Sequence, residues 1–282
     1  MFPQTLKSWD GLTLHTHSIK PKNGSTRAKI IVVHGFGDHT GALPYQNVME
    51  YLTAQNFAVY SFDLRGHGQS EGHRMFIHAW DVLHRDLHAF IELVQRETPE
   101  LPLFLLGLSM GGLIVLNYAE QHPAGIQGIV AVAPAVGEPG VPAAIKFLMP
   151  ILSRVLPKAS LNPGLDLTRI SRDQAAVKAY TADPLFQAKT TPRLAAEVLT
   201  AIQTTRQNAP QLRLPILILH GTEDTIVPPN GSAEFFSQIS SSDKKRITYP
   251  GAYHNLFIET NREQVFSDIV NWIEKHLEEN TI

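Results

Sequence analysis

The stretch PLFLLGLSMGGLIVLNYAEQH, residues 102–122, decides the fold. It opens on an almost wholly apolar run, as in a strand covered on both faces, and closes on a helix-like one. Between the two stands Gly107-Leu108-Ser109-Met110-Gly111-Gly112. A serine in a strained strand-to-helix turn presents its hydroxyl out of the sheet, and only glycine-sized neighbours leave room for that backbone. G-x-S-x-G alone recurs by chance and is a weak signal. The strand before it, the helix after it and the third glycine are what the mechanical account demands. The bland alternative, a glycine-rich turn holding an ordinary serine, predicts none of them.

Working outward, similar apolar runs recur: AKIIVVHG (28–35), FAVYSFD (57–63), IQGIVAVAP (126–134), PILILHG (215–221) and a weaker KRITYPG (245–251). They predict a mostly parallel sheet covered on both faces. Upstream, KSWDGLTLHTHS (7–18) predicts an antiparallel hairpin on a two-residue Asp10-Gly11 turn. Over residues 78–97, Trp80, Leu83, Leu87, Phe90 and Val94 recur at helical spacing, one buried stripe. Strand–helix–strand units then put helices on both faces of the sheet. The alternation lapses over 136–208, where helical pieces are punctuated by prolines. The chain is therefore read as an α/β core over 1–135, a helical cap or lid insertion over 136–208, and the rest of the core over 209–282.

A serine hydroxyl is a weak nucleophile until a base takes its proton, and the base needs an acid to hold its tautomer. In this arrangement the chain order is Ser, then Asp or Glu, then His. GTEDTIVP (221–228) sets an acid just past the carboxyl end of a strand, the edge at which open α/β sheets bind ligands. Asp224 is preferred because a shorter side chain holds an imidazole more rigidly, with Glu223 as its rival. After Asp224 only His254 and His276 follow. His276 falls in a terminal helical run, whereas His254 follows the last strand in the loop PGAYHNL (250–256), so His254 is the expected base. Acyl transfer also needs donors for the developing oxyanion. These should be the backbone N–H of Met110 and one from the loop His34-Gly35-Phe36-Gly37-Asp38-His39, most naturally that of Phe36, whose ring would then wall the pocket.

The same glycine-rich loop and Asp63 suggest a dinucleotide site, but the glycine spacing is one residue off that fingerprint and Ser109, Asp224 and His254 would go unexplained. DLRGHGQSEG (63–72) reads as a tight structural connection. His84 and His88 lie four apart on a helix without H-E-x-x-H around them and read as solvated edge residues, so no metal is expected. In VPAAIKFLMPILSRVLP (141–157), Ile145, Leu148, Met149, Leu152, Val155 and Leu156 share a wide helical face. It either packs on the sheet's edge or forms a greasy lid that touches lipid, and both can hold at once. Ile145, Leu148, Met149 and Leu152, with Phe36, are the candidate substrate-binding residues.

Composition narrows the classes. In 282 residues, 24 Lys and Arg face 26 Asp and Glu, which disfavours a dedicated nucleic-acid binder. With no cysteine, disulfides, thiolate metal sites and thiol nucleophiles are excluded. The start MFPQTLKSWDGL has no apolar core of signal-peptide type, so the expected compartment is the cytoplasm, with peripheral membrane contact through the lid.

Taken together, HGFGDHTG (34–41), FDLRGHGQSEGHR (62–74), GLSMGG (107–112), ISRDQAAVKAYTADPLF (170–186), GTEDTIVP (221–228) and GAYHNLF (251–257) run nearly end to end. On them the chain resembles the α/β-hydrolase superfamily, and more narrowly its monoacylglycerol lipase and lysophospholipase group. The resemblance implies Ser109, Asp224 and His254 as a catalytic triad, Phe36 and Met110 as oxyanion donors, and a lid in the insertion. It also implies no cofactor, and glycerol esters of fatty acids or lysophospholipids as substrates. Several members of the group carry cysteines in the pocket and this chain has none. The expectation is a serine carboxylester hydrolase cleaving single-chain lipid esters, foremost monoacylglycerols. The alternatives are a lysophospholipase or a general carboxylesterase or thioesterase of the same fold.

Overall fold

The structure is a computed structural model; it describes residues 2–22, 25–137 and 143–278, with the side chains of 143–146 outside the description. In chain order it contains β1 (Thr5–Lys7), β2 (Thr13–Ile19), β3 (Ala28–Val33), α1 (Leu43–Ala54), β4 (Phe57–Phe62), α2 (Asp81–Glu97), β5 (Leu103–Leu108), α3 (Met110–Gln121) and β6 (Gly128–Val132). There follow α4 (Ala143–Val155), a 3₁₀ turn (Leu167–Arg169), α5 (Gln174–Thr181), α6 (Pro192–Asn208), β7 (Ile216–Gly221), α7 (Pro229–Gln238), β8 (Lys244–Tyr249) and α8 (Arg262–Glu278). The strands form one sheet in the order β1-β2-β4-β3-β5-β6-β7-β8. It is parallel from β4 to β8, and β1 and β2 join antiparallel at the β4 edge. This is the α/β-hydrolase architecture.

Period-two alternation divides each buried strand between two cores. On β3, Ile31 and Val33 face Leu83, Leu87 and Phe90 of α2 and Leu113 and Leu116 of α3. Ile30 and Val32 face the other side, with Val48 and Leu52 of α1 and Phe266 and Ile269 of α8. The 136–208 stretch lies between β6 and β7, which are themselves paired (Val130↔Leu217). Its helices have no core of their own among the described residues. Leu194 and Ile202 of α6 belong to the first cluster, and Ile170, Val177 and Tyr180 to the second.

Two sequence expectations need correction. The β1–β2 connection is a three-residue loop, not a two-residue turn: Ser8 N–H bonds Leu12 O, Gly11 N–H bonds Ser8 O, and Gly11 takes φ 89°. That is a turn followed by a bulge. Tertiary partners hold it, since Asp10 receives Arg65 Nη1 at 2.8 Å and Trp9 lies under the Arg85 guanidinium. His84 is not solvated but buried in the α2–α3 seam beside Trp80 and Tyr118, and burial pushes its imidazole down to about 4. His88 remains at the surface, its Nδ1 taking the Tyr118 hydroxyl at 2.7 Å. Among the described residues no cluster of three or more metal-ligating side chains occurs, and no helix is long and apolar enough to cross a membrane.

Candidate active site

Ser109 sits between β5 and α3 with φ 57° and ψ −117°, a backbone that few side chains tolerate. The turn is tight enough that a Cβ at Gly107 would lie 2.3 Å from Gly111 O, and one at Gly111 would lie 2.1 Å from Val33 O. The glycines therefore let α3 approach β3 and β5 while Ser109 stands at the carboxyl end of the sheet.

Ser109 Oγ lies 3.0 Å from His254 Nε2, and His254 Nδ1 lies 2.7 Å from Asp224 Oδ2. Asp224 follows β7 and His254 follows β8, so three separate strand ends supply the constellation. The N–H groups of Ile226 and Val227 each donate to Asp224 Oδ1 at 2.9 Å. Burial by itself raises the Asp224 carboxyl; the charge of His254 and hydrogen bonds from His220, His254 and Val227 outweigh it and hold the group well below the usual carboxylate range. Glu223 is exposed and contributes its backbone carbonyl to Arg169. His276 pairs instead with Asp243 at 2.8 Å.

The loop after β3 crosses this site. Among the described residues, the N–H groups of Phe36 and Met110 donate to no protein acceptor. Asp38 is buried beside them. It accepts the hydroxyls of Tyr45, at 2.7 Å, and Tyr180, while Tyr45 in turn accepts the N–H of Gly35 at 2.7 Å. Burial pushes the Asp38 carboxyl up to about 6 against the pull of those two hydroxyls.

A small cavity of about 60 Å³ adjoins Ser109 and His254, with Phe36, Leu165, Leu167, Ile170, Tyr180 and Phe186 among its walls. Leu148, Met149 and Leu152, named above as candidate substrate-binding residues, do not line this cavity. Met149 is buried and faces α6, and Leu148 points to solvent, because α4 turns its Met149–Ser153 side onto α6. The side chain of Ile145 lies outside the described residues. The apolar walls come from the segment after α4, where residues 165, 167, 170 and 186 show no helical or strand period to mark them.

The connection over 63–72 is built around Asp63, whose Oδ1 and Oδ2 accept the N–H groups of Thr40 and Gln69 at 2.7 Å. Both oxygens are spent on local backbone, as a structural turn requires and a ribose-binding acid does not.

Residues 24–261 match the family model described as serine aminopeptidase, S33. The human monoglyceride lipase is 34% identical over 269 residues, 94% of this chain and 88% of that protein. A monoacylglycerol lipase of Mycolicibacterium smegmatis is 32% identical over 253 residues, 89% of each chain. Among solved structures, the Paleococcus ferrophilus monoacylglycerol lipase superposes with a TM-score of 0.85 at 34% identity, covering 93% of this chain and 99% of that one. With that family model spanning most of the sequence and relatives above 30% identity along nearly its whole length, the chain belongs to the serine aminopeptidase S33 family, in the monoacylglycerol lipase group of the α/β-hydrolases.

Proposed function

We propose that the protein is a serine carboxylester hydrolase that cleaves monoacylglycerols to fatty acid and glycerol through an acyl-enzyme. The observation that carries this reading is the 3.0 Å approach of His254 Nε2 to Ser109 Oγ within a strained strand-to-helix turn. His254 takes the Ser109 proton as Oγ attacks the ester carbonyl carbon, and Asp224 holds the imidazole and its developing charge. The N–H groups of Phe36 and Met110 receive the oxyanion. Glycerol departs with the proton from His254, and water, activated by the same imidazole, releases the fatty acid. Similarity to lipases named for monoacylglycerol supports the substrate class.

A lipid ester needs more room than about 60 Å³, since small-molecule pockets run to about 300–1,000 Å³. The described helices of the insertion, over 143–208, therefore act as the moving cap, parting at Leu165–Ile170 and Phe186 to admit the acyl chain. On α4, Phe147 is 76% and Val155 69% exposed, with Ile151 between them, an apolar stripe suited to resting on a lipid surface.

A fluorophosphonate probe should label the wild type and leave Ser109→Ala unlabelled. Monoacylglycerols should be hydrolysed faster than lysophospholipids or triacylglycerols. A preference for p-nitrophenyl acetate over long-chain esters would overturn the lipid assignment, because each buried methylene is worth about 0.8 kcal/mol.

A further inference from the structure

Behind the proposed triad lies a second histidine that the reaction as written does not use. His220, near the end of β7, is wholly buried. Its Nε2 is 2.9 Å from Val227 O and 3.1 Å from Asp224 Oδ2. A carbonyl can only accept, so this nitrogen carries the ring proton and shares it between the two oxygens. The other nitrogen, Nδ1, is buried with no hydrogen-bond partner among the described residues, which fits the tautomer that carries its proton on Nε2. Asp224 Oδ2 consequently receives two imidazole N–H groups, from His254 at 2.7 Å and from His220 at 3.1 Å. Oδ1 receives two backbone N–H groups. All four acceptor directions of the carboxylate are then occupied.

We propose that His220 is a positioning residue: its Nε2–H fixes the plane of the Asp224 carboxylate and occupies a lone pair on the oxygen that faces His254. The proposal rests on the triad reading above. Two consequences follow for the reaction. The carboxylate cannot rotate away from His254, so Nε2 of that imidazole stays aimed at Ser109. The second donor also lowers the basicity of Oδ2, so the proton lifted from Ser109 remains on His254, where it is needed for the departing alcohol, instead of passing to Asp224.

The role needs an N–H at one point in space, which a glutamine amide nitrogen can supply and a methionine of similar length cannot. His220→Gln and His220→Met are therefore compared with wild type on p-nitrophenyl decanoate, with thermal unfolding measured for each. The Gln variant should keep kcat within about threefold, whereas the Met variant should lose about 10- to 100-fold in kcat with KM nearly unchanged. Equal losses in the two variants, or a Met variant within about threefold of wild type, would overturn the proposal. If the Met variant does not fold, a loss in a folded Gln variant comparable to that of Asp224→Asn overturns it as well. Ser109→Ala separates the two readings. Should that variant stay active, the triad reading fails; should it be inactive while His220→Met is unimpaired, only the role of His220 fails.

Discussion

The hydroxyl of Tyr180, on α5, donates to Oδ1 of Asp38, in the loop after β3. The bond joins the insertion to the segment that carries the Phe36 N–H. Two more ties reinforce it: Gln187 N–H donates to Gly37 O at 2.9 Å, and His39 Nε2 lies 3.0 Å from Asp183. Asp38 also holds Tyr45, which accepts the Gly35 N–H, so the carboxyl bridges the 136–208 insertion, α1 and the loop after β3.

Removing one end of this bridge should loosen the donor loop without touching the nucleophile. Tyr180→Phe is expected to lower kcat/KM on p-nitrophenyl butyrate about tenfold, the worth of one hydrogen bond to an ionisable acceptor. A wild-type value would show that the loop is positioned by other contacts.

Asp224→Asn replaces a carboxylate that accepts four N–H groups with an amide whose NH₂ must face either both imidazole donors or the two backbone N–H groups. A fall in kcat on the order of 10³–10⁴ is expected at neutral pH, with the fold retained by circular dichroism. A variant within tenfold of wild type would transfer the orienting role to another group.

Glu120 on α3 gives a stability test away from the site. It is buried, with Oε2 accepting from Asn117 Nδ2 at 3.0 Å and Oε1 without a partner among the described residues. Burial raises its carboxyl to about 8 despite the opposing Asn117 hydrogen bond. The folded state therefore prefers the neutral acid. This contribution is complete below the unfolded value, near 4.5, and is lost as pH rises through about 8. Glu120→Gln cannot ionise, so its stability relative to wild type should grow by about 3 kcal/mol between pH 4.5 and 7. Urea unfolding at the two pH values measures the difference, and parallel profiles would refute it.

The apolar stripe of α4 should matter only where lipid is present. Phe147→Ser with Ile151→Ser is expected to weaken sedimentation with phosphatidylcholine vesicles by tenfold or more, since each exposed side chain contributes about 1.5–3 kcal/mol when buried. Hydrolysis of a water-soluble ester should be unchanged. Unaltered vesicle binding would assign the contact to another surface.

Most of the strands were legible because they are buried on both faces and read as apolar runs; their order, in which β4 and β3 exchange places, was not. Ser109, Asp224 and His254 were legible for a related reason: each sits at a strand end, in a loop whose local sequence marks it. Nothing comparable marks Leu165, Leu167 or Phe186, which meet the site only through the folding of an irregular segment. The helical pattern of α4 is genuine, but periodicity names a face without naming its neighbour, so it could not show that Met149 turns to α6 and away from Ser109.

By itself, then, the sequence determined the layered α/β architecture and the strained serine turn, both consequences of short-range backbone geometry and hydrophobic period, and it set Asp224 and His254 in loops just past strands. Only the tertiary structure decided that His84 is buried, that Tyr180 reaches Asp38 and that His220 shares the oxygen of Asp224 with His254. Those contacts depend on the packing of elements far apart in the chain, where distances of a few ångströms settle whether a polar atom is solvated, orphaned or paired.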